Sequence, residues 1–212
     1  MEYRAVGNRC AVLLDSLARF IPPGEIMTIL NRHGFEIVEI DIVSLARQCI
    51  GKSKYRRQTP AWHAPAVVDC SSFIKWLYGN LGIWLPRRSI QQREYGEPIG
   101  IHELKPGDAL FTSSRFNYFD DDPAYGVGHV GIVSGDGTVI HASYRKSGVN
   151  EDPIDHFLPE KVFRGARRFL PKNETIITLQ IPPHKEVEFA DDIKWIVLES
   201  LPVKKKEETS RR

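Results

Sequence analysis

Past residue 104 the chain changes texture, and that change limits the fold more than any other feature. ALFTS, HVGIV, TVIHAS and FRGARRF are short β-like runs separated by turn signals. SGDGT, between the second and third, is a strong hairpin signal. Just before these runs, Phe73, Ile74, Leu77, Tyr78 and Leu81 recur at the i, i+3, i+4 spacing of an amphipathic helix. Asp69 stands at its predicted N-cap and Gly82 at its C′ position. Gly79 is a poor helix former inside it, so a close packing partner is expected there. One helix followed by a series of antiparallel strands is an α+β layout.

The flanks are less regular. Cys10, Leu13, Leu14, Leu17 and Phe20 fall at helical spacing, which predicts a helix over 9–20, broken by IPPGE. EIVEIDI alternates like a short strand, residues 42–50 read as a helix, and GKSKYRRQTPAWHAPA reads as a loop. TIITLQI and IKWIVLE, within 172–202, predict two strands of an added hairpin, and the charged last ten residues predict disorder. The division expected is an N-terminal extension over 1–40, a domain over 41–171 and a C-terminal extension over 172–212.

A length of 212 residues suits one well-buried domain with extensions. The net charge of +2 argues for no nucleic-acid face, because VKKKEETSRR alone exceeds it and leaves the body slightly acidic. No run reaches membrane-spanning length. The first twenty residues lack a signal peptide's uninterrupted apolar stretch, since Asp15 cuts it, and this points to the cytoplasm. Three cysteines, Cys10, Cys49 and Cys70, are an odd count that argues against a disulfide framework. None has zinc-ligand spacing, so no metal is expected.

Cys70 begins the predicted helix. Packing is the ordinary role of a lone cysteine. The first helical turn, however, offers unpaired N–H groups and the positive end of the helix dipole, which favour a thiolate. Asp69 pulls the other way. A nucleophilic cysteine also needs a base and a group that orients the base. His129 and His141 qualify if they share a face of the hairpin. That requires an odd loop. Ser134, Gly135 and Asp136, with Gly137 in a bulge, would set the two histidines directly opposite each other.

The ordered set DCSSFIKWLYGNLGIWLPRRS, LKPGDALF, GHVGIVSGDGTVIHAS and GARRF resembles the NlpC-type family of papain-like cysteine peptidases, over roughly residues 41–171. The resemblance implies a papain-like core in which the helix bearing the cysteine packs on an antiparallel sheet. Carried over, Cys70 matches the nucleophile, His129 the base, His141 the residue orienting the base, and Tyr55 an upstream tyrosine near the oxyanion. It implies hydrolysis of an amide bond in bacterial cell-wall peptides, commonly between γ-D-glutamate and a diamino acid, without a cofactor, in a family that mostly works outside the membrane. A CHAP-type amidase or acyltransferase, or a binding module on an inactive scaffold, are the alternatives. Ser72 stands where the family has glycine, and YRRQTPAWHAPA lacks its Trp-Gly-Gly. Asp69 and Ser71 are candidate substrate contacts. So are Asp120, Asp121 and Asp122, in an insertion before His129 that reads as solvated surface or as a lid receiving a cation. Arg87 and Arg88 read as structural or carboxylate-pairing residues.

Overall fold

The computed structural model describes residues 3–18, 21–113, 126–170 and 175–202. Its strands are β1 (Arg9–Leu13), β2 (Glu36–Ile37), β3 (Lys54–Tyr55), β4 (Val67–Val68), β5 (Glu97–Ile99), β6 (Ala109–Ser113), β7 (Val127–Val133), β8 (Thr138–Ser143), β9 (Gly148–Pro153), β10 (Phe163–Arg168) and β11 (Ile176–Gln180). Its helices are α1 (Leu14–Ala18), α2 (Pro23–Arg32), α3 (Ile42–Arg47), α4 (Cys70–Asn80), α5 (Ser89–Gln92) and α6 (Ala190–Glu199).

The α+β expectation holds. Eight strands form one sheet in the order β4-β3-β9-β8-β7-β6-β10-β5. Neighbouring strands in it run antiparallel except β3 with β4. Helix α4 lies on this sheet. Its Phe73, Ile74, Leu77 and Tyr78 share one core with Val130, Ile132, Ile140 and Ala142. Each such burial contributes about 1.5–3 kcal/mol before entropy is counted. The predicted caps of α4 are present. Asp69 accepts from the Ser72 N–H at 2.8 Å, and the Ser72 hydroxyl accepts from the Asp69 N–H at 2.9 Å. The serine that replaces the family's glycine thus completes a capping box. Gly79 has the close neighbour expected, since a Cβ there would lie 3.1 Å from Val6 Cγ1.

The termini depart from the sequence reading. Residues 9–13 form a strand, not a helix. Ala11 faces the main core, while Cys10 and Val12 face a second cluster with Ile26, Leu30, Phe35, Leu179, Ile193 and Val197. A strand covered on both faces shows a continuous apolar run, which periodicity alone does not distinguish from a helix. Of the hairpin expected in 172–202, only β11 is a strand. It pairs with β1 and β2 in a separate three-stranded sheet. IKWIVLE instead belongs to α6, where Ile193 and Val197 are buried one turn apart and the Asp192 carboxylate accepts from the Glu188 and Phe189 N–H groups at 2.8 and 2.9 Å. The small sheet is joined to the end of α4: Ala11 N–H donates to Gly82 O at 3.0 Å and the Thr178 hydroxyl to Leu81 O at 2.9 Å. At φ +73° Gly82 sits in the left-handed region, and a Cβ there would meet Ala11 N at 2.5 Å.

Candidate active site

Cys70 is the first residue of α4 and is buried. The Ser71 and Val130 backbone N–H groups favour its thiolate. Val130, the β7 residue that follows His129, packs in the same core as Cys70. Burial, and then the Asp69 carboxylate, push the thiol up to about 11, against those two N–H groups and Arg87. The helix start therefore does not by itself produce the thiolate expected from sequence; desolvation outweighs it. Cys10 and Cys49 are buried as well, and burial raises both thiols.

His129 and His141 share a face of the sheet, as the odd-loop argument requires, but in a different register. The observed pairs are Ile132 with Ile140 and Val133 with Val139, closed by Ser134 N–H to Thr138 O at 3.1 Å. The three-residue loop is thus Gly135–Asp136–Gly137, one position later than predicted, with both glycines at positive φ. Carried one residue on, this register sets His141 opposite Gly131, and His129 is its diagonal neighbour. A Cβ at Gly131 would lie 3.1 Å from His141 Cβ and 2.5 Å from Val139 Cγ1, so only glycine leaves room here. His129 Nε2 lies 2.8 Å from His141 Nδ1, with the rings at 83° and Phe157 against both. Burial, then the neighbouring His141, hold the His129 imidazole down at about 3, so it rests neutral.

The diagonal continues onto a residue the sequence reading missed. His141 pairs with Asn150 on β9, and Asp152, two residues on and on the same face, places Oδ2 2.9 Å from His141 Nε2. Lys146 donates to the other oxygen, Oδ1. Glu151 takes the opposite face and binds Arg47 and Thr138. The signal was available: the same hairpin reasoning, applied across SYRKSG, puts an acid beside His141.

Tyr55 lies in β3, with its N–H donating to Ser147 O at 3.0 Å. Burial, then Cys70 and Asp69, push its phenol up to about 12, so it keeps its proton and remains a donor. Asp69 and Ser71 are brought beside Cys70, but inside a hydrogen-bonded network. Arg87 binds Asp69 Oδ1 and Oδ2 at 3.0 and 2.5 Å, Ser71 Oγ at 2.8 Å and Thr59 O at 2.5 Å. Arg87 is thus the carboxylate-pairing residue expected of it. Asp120, Asp121 and Asp122 lie outside the described residues. Among the described residues no group of histidine, cysteine and carboxylate side chains could hold a metal, and no helix is long and apolar enough to cross a membrane.

Residues 53–168 match the NlpC/P60 family. A probable endopeptidase of Corynebacterium glutamicum is 36% identical over 130 residues, covering 60% of this chain and 52% of that protein. A gamma-D-glutamyl-L-lysine dipeptidyl-peptidase of Bacillus cereus is 32% identical over 103 residues, 49% of this chain and 29% of that one. The chain therefore spans about half or less of the length of these relatives. Among solved structures, NlpC1 of Trichomonas vaginalis superposes with a TM-score of 0.52 at 26% identity, over 63% of this chain and 47% of its own. With more than half of its length matched by the family, and with that family's fold, the chain belongs to the NlpC/P60 family.

Proposed function

We propose that this chain is a cysteine-type peptidase that hydrolyses an amide bond in bacterial cell-wall peptides, between γ-D-glutamate and a diamino acid. The observation that carries this reading is the histidine relay, His129 Nε2 to His141 Nδ1 at 2.8 Å, on the strand whose Val130 packs in one core with Cys70. A relative named for γ-D-glutamyl-L-lysine cleavage supports the choice of bond.

Both reacting groups rest neutral, since burial raises the thiol and lowers the imidazole. His129 acts as a general base during attack. His129 Nε2 is engaged with His141, which leaves Nδ1 to take the thiol proton. The Cys70 sulphur bonds to the carbonyl carbon. The Cys70 backbone N–H and the Tyr55 phenol stabilise the oxyanion. The C–N bond then breaks as His129 passes its proton to the leaving amine. Water, deprotonated by the same ring, releases the acid and restores the thiol. Asp69 and Ser71, bound by Arg87, hold the start of α4 at the cleft. Asp120, Asp121 and Asp122 precede β7 in sequence and attract an amine on the residue after the cut.

Digestion of a panel of defined muropeptides, with the fragments weighed by mass spectrometry, tests the reading. Cleavage after γ-D-glutamate that disappears in Cys70→Ala is the expected result. A folded protein that cleaves none of the panel, or a Cys70→Ala variant that still turns over, overturns it. Replacing Asp120, Asp121 and Asp122 by Asn should raise KM for a free-amine substrate and leave its acetylated form unaffected.

A further inference from the structure

We propose that Asp152, held in place by Lys146, is a positioning residue that selects the tautomer of both histidines. The bond between the rings cannot do this alone. A contact of 2.8 Å between His129 Nε2 and His141 Nδ1 is satisfied equally well in two ways. In one, His129 Nε2–H donates and His129 Nδ1 carries a lone pair that can take a thiol proton. In the other, His141 Nδ1–H donates, His129 must carry its proton on Nδ1, and no base faces the nucleophile. A neutral imidazole has one proton, so the two states exclude each other.

Asp152 breaks that symmetry. An ionised carboxylate only accepts, so at 2.9 Å it requires the His141 proton to be on Nε2. His141 Nδ1 is then an acceptor, His129 Nε2 a donor, and His129 Nδ1 is left free. One carboxylate thus sets the state of two rings in series. The contact is sheltered, because the His141 and Asp152 side chains are only 8% and 16% exposed. Lys146, half-exposed, binds the second oxygen. Burial alone would raise the Asp152 carboxyl, but the bonds from Lys146 and His141 outweigh it and lower the group, which keeps it ionised. The charged groups acting on the pair are Asp152 and Lys146, from β9 and the turn before it, while Cys70, Asp69, Arg87 and Tyr55 act on one another around the sulphur.

The proposal rests on His129 serving as the base, so the test has one arm that needs no turnover. Long-range ¹H–¹⁵N spectra of the histidine-labelled full chain at neutral pH report which nitrogen carries each proton. Both rings should be protonated on Nε2 in the wild type. In Asp152→Ala, His141 should populate the Nδ1–H form and His129 should follow. Asp152→Asn, nearly isosteric, serves if the alanine variant does not fold, and there too His141 should lose its exclusive Nε2–H state. An unchanged tautomer pattern in a folded variant overturns the proposal. In the kinetic arm, on a peptide with a γ-D-glutamyl bond, Asp152→Ala should lower kcat roughly 10²–10³-fold with little change in KM. Asp152→Asn, which can still accept through Oδ1, should recover part of that. Its acid limb should move to lower pH, because the lost negative charge no longer favours imidazolium. Lys146→Gln should cost less than either. A uniform loss at every pH with no shift of the limb would mark a merely structural role. If the tautomers change as expected but no wild-type cleavage occurs, the functional reading fails and this one stands. If the wild type cleaves and the tautomers stay unchanged in the variants, the functional reading stands and this one fails.

Discussion

Two polar groups of side chains flank Cys70, and they are wired differently. At the start of α4 the bonds are redundant. Asp69 accepts from the Ser72 N–H, from the Ser71 hydroxyl and from two nitrogens of Arg87, which also reaches Thr59 O. Across the sheet the bonds form a single file: His129 to His141, His141 to Asp152, Asp152 to Lys146. A web shares its load and fixes a position. A file has a direction and can hand on a protonation state. The difference teaches that polar bonding beside Cys70 serves two separate ends, and that they should come apart under mutation.

The largest effect should be His129→Ala, which breaks the file at its first link. Turnover should fall on the order of 10²–10⁴-fold while the melting temperature barely moves. His141→Gln, whose amide can still orient the base, should fall less. Next is Arg87→Leu on the web side. It strands the buried Asp69 carboxylate and should cost about 2–4 kcal/mol of stability by denaturant titration, discounted because the Arg87 side chain is one-third exposed. If Arg87→Leu left stability intact and moved only kcat, the division between web and file would collapse. Cys10→Ala and Cys49→Ala should keep turnover wherever they fold.

A smaller effect sharpens the comparison through pH. The His129 imidazole is lowered from 6.5 to about 3 on folding, so between those values the unfolded chain binds the extra proton. The contribution is fully present above pH 6.5 and is lost as pH falls toward 3. Replacing His129 with Asn should flatten that part of the stability curve. The smallest effect belongs to a surface control. Arg47 binds Glu151 and Asp136 in the open, and Arg47→Ala should leave the melting temperature close to the wild-type value, with any loss smaller in high salt.

The helix of the site was legible because its apolar spacing, its N-cap and its C′ glycine agreed with one another. The shared face of the two histidines followed from loop parity, which survives a shift of register by an even number of residues. The register itself did not follow, because Gly135 and Gly137 can each take a left-handed turn position and the sequence does not say which pair closes the loop. β1 and α6 were misread because a short, largely apolar stretch looks alike in a doubly covered strand and in a short helix. Asp152 went unread because its role exists only across a second hairpin. The raised Cys70 thiol was hidden for a related reason: helix position is local, whereas desolvation is set by what packs over it.

The pairing of β1 with β11 has a consequence for how the protein is made. Residue 9 lies opposite residue 180, whereas the large sheet and α4 draw on the sequence between them. On a ribosome, β1 emerges with Cys10 and Val12 bare and must wait until β11, about 170 residues later, is made. At ~5–20 residues per second, that delay is on the order of 10–30 s. During it the last turn of α4 lacks the hydrogen bonds that Ala11 and Thr178 make with Gly82 and Leu81. Helix α4 thus acquires its final anchorage only after β11 is made, and a nascent chain stalled before residue 176 would carry Cys70 on a helix still open at its far end.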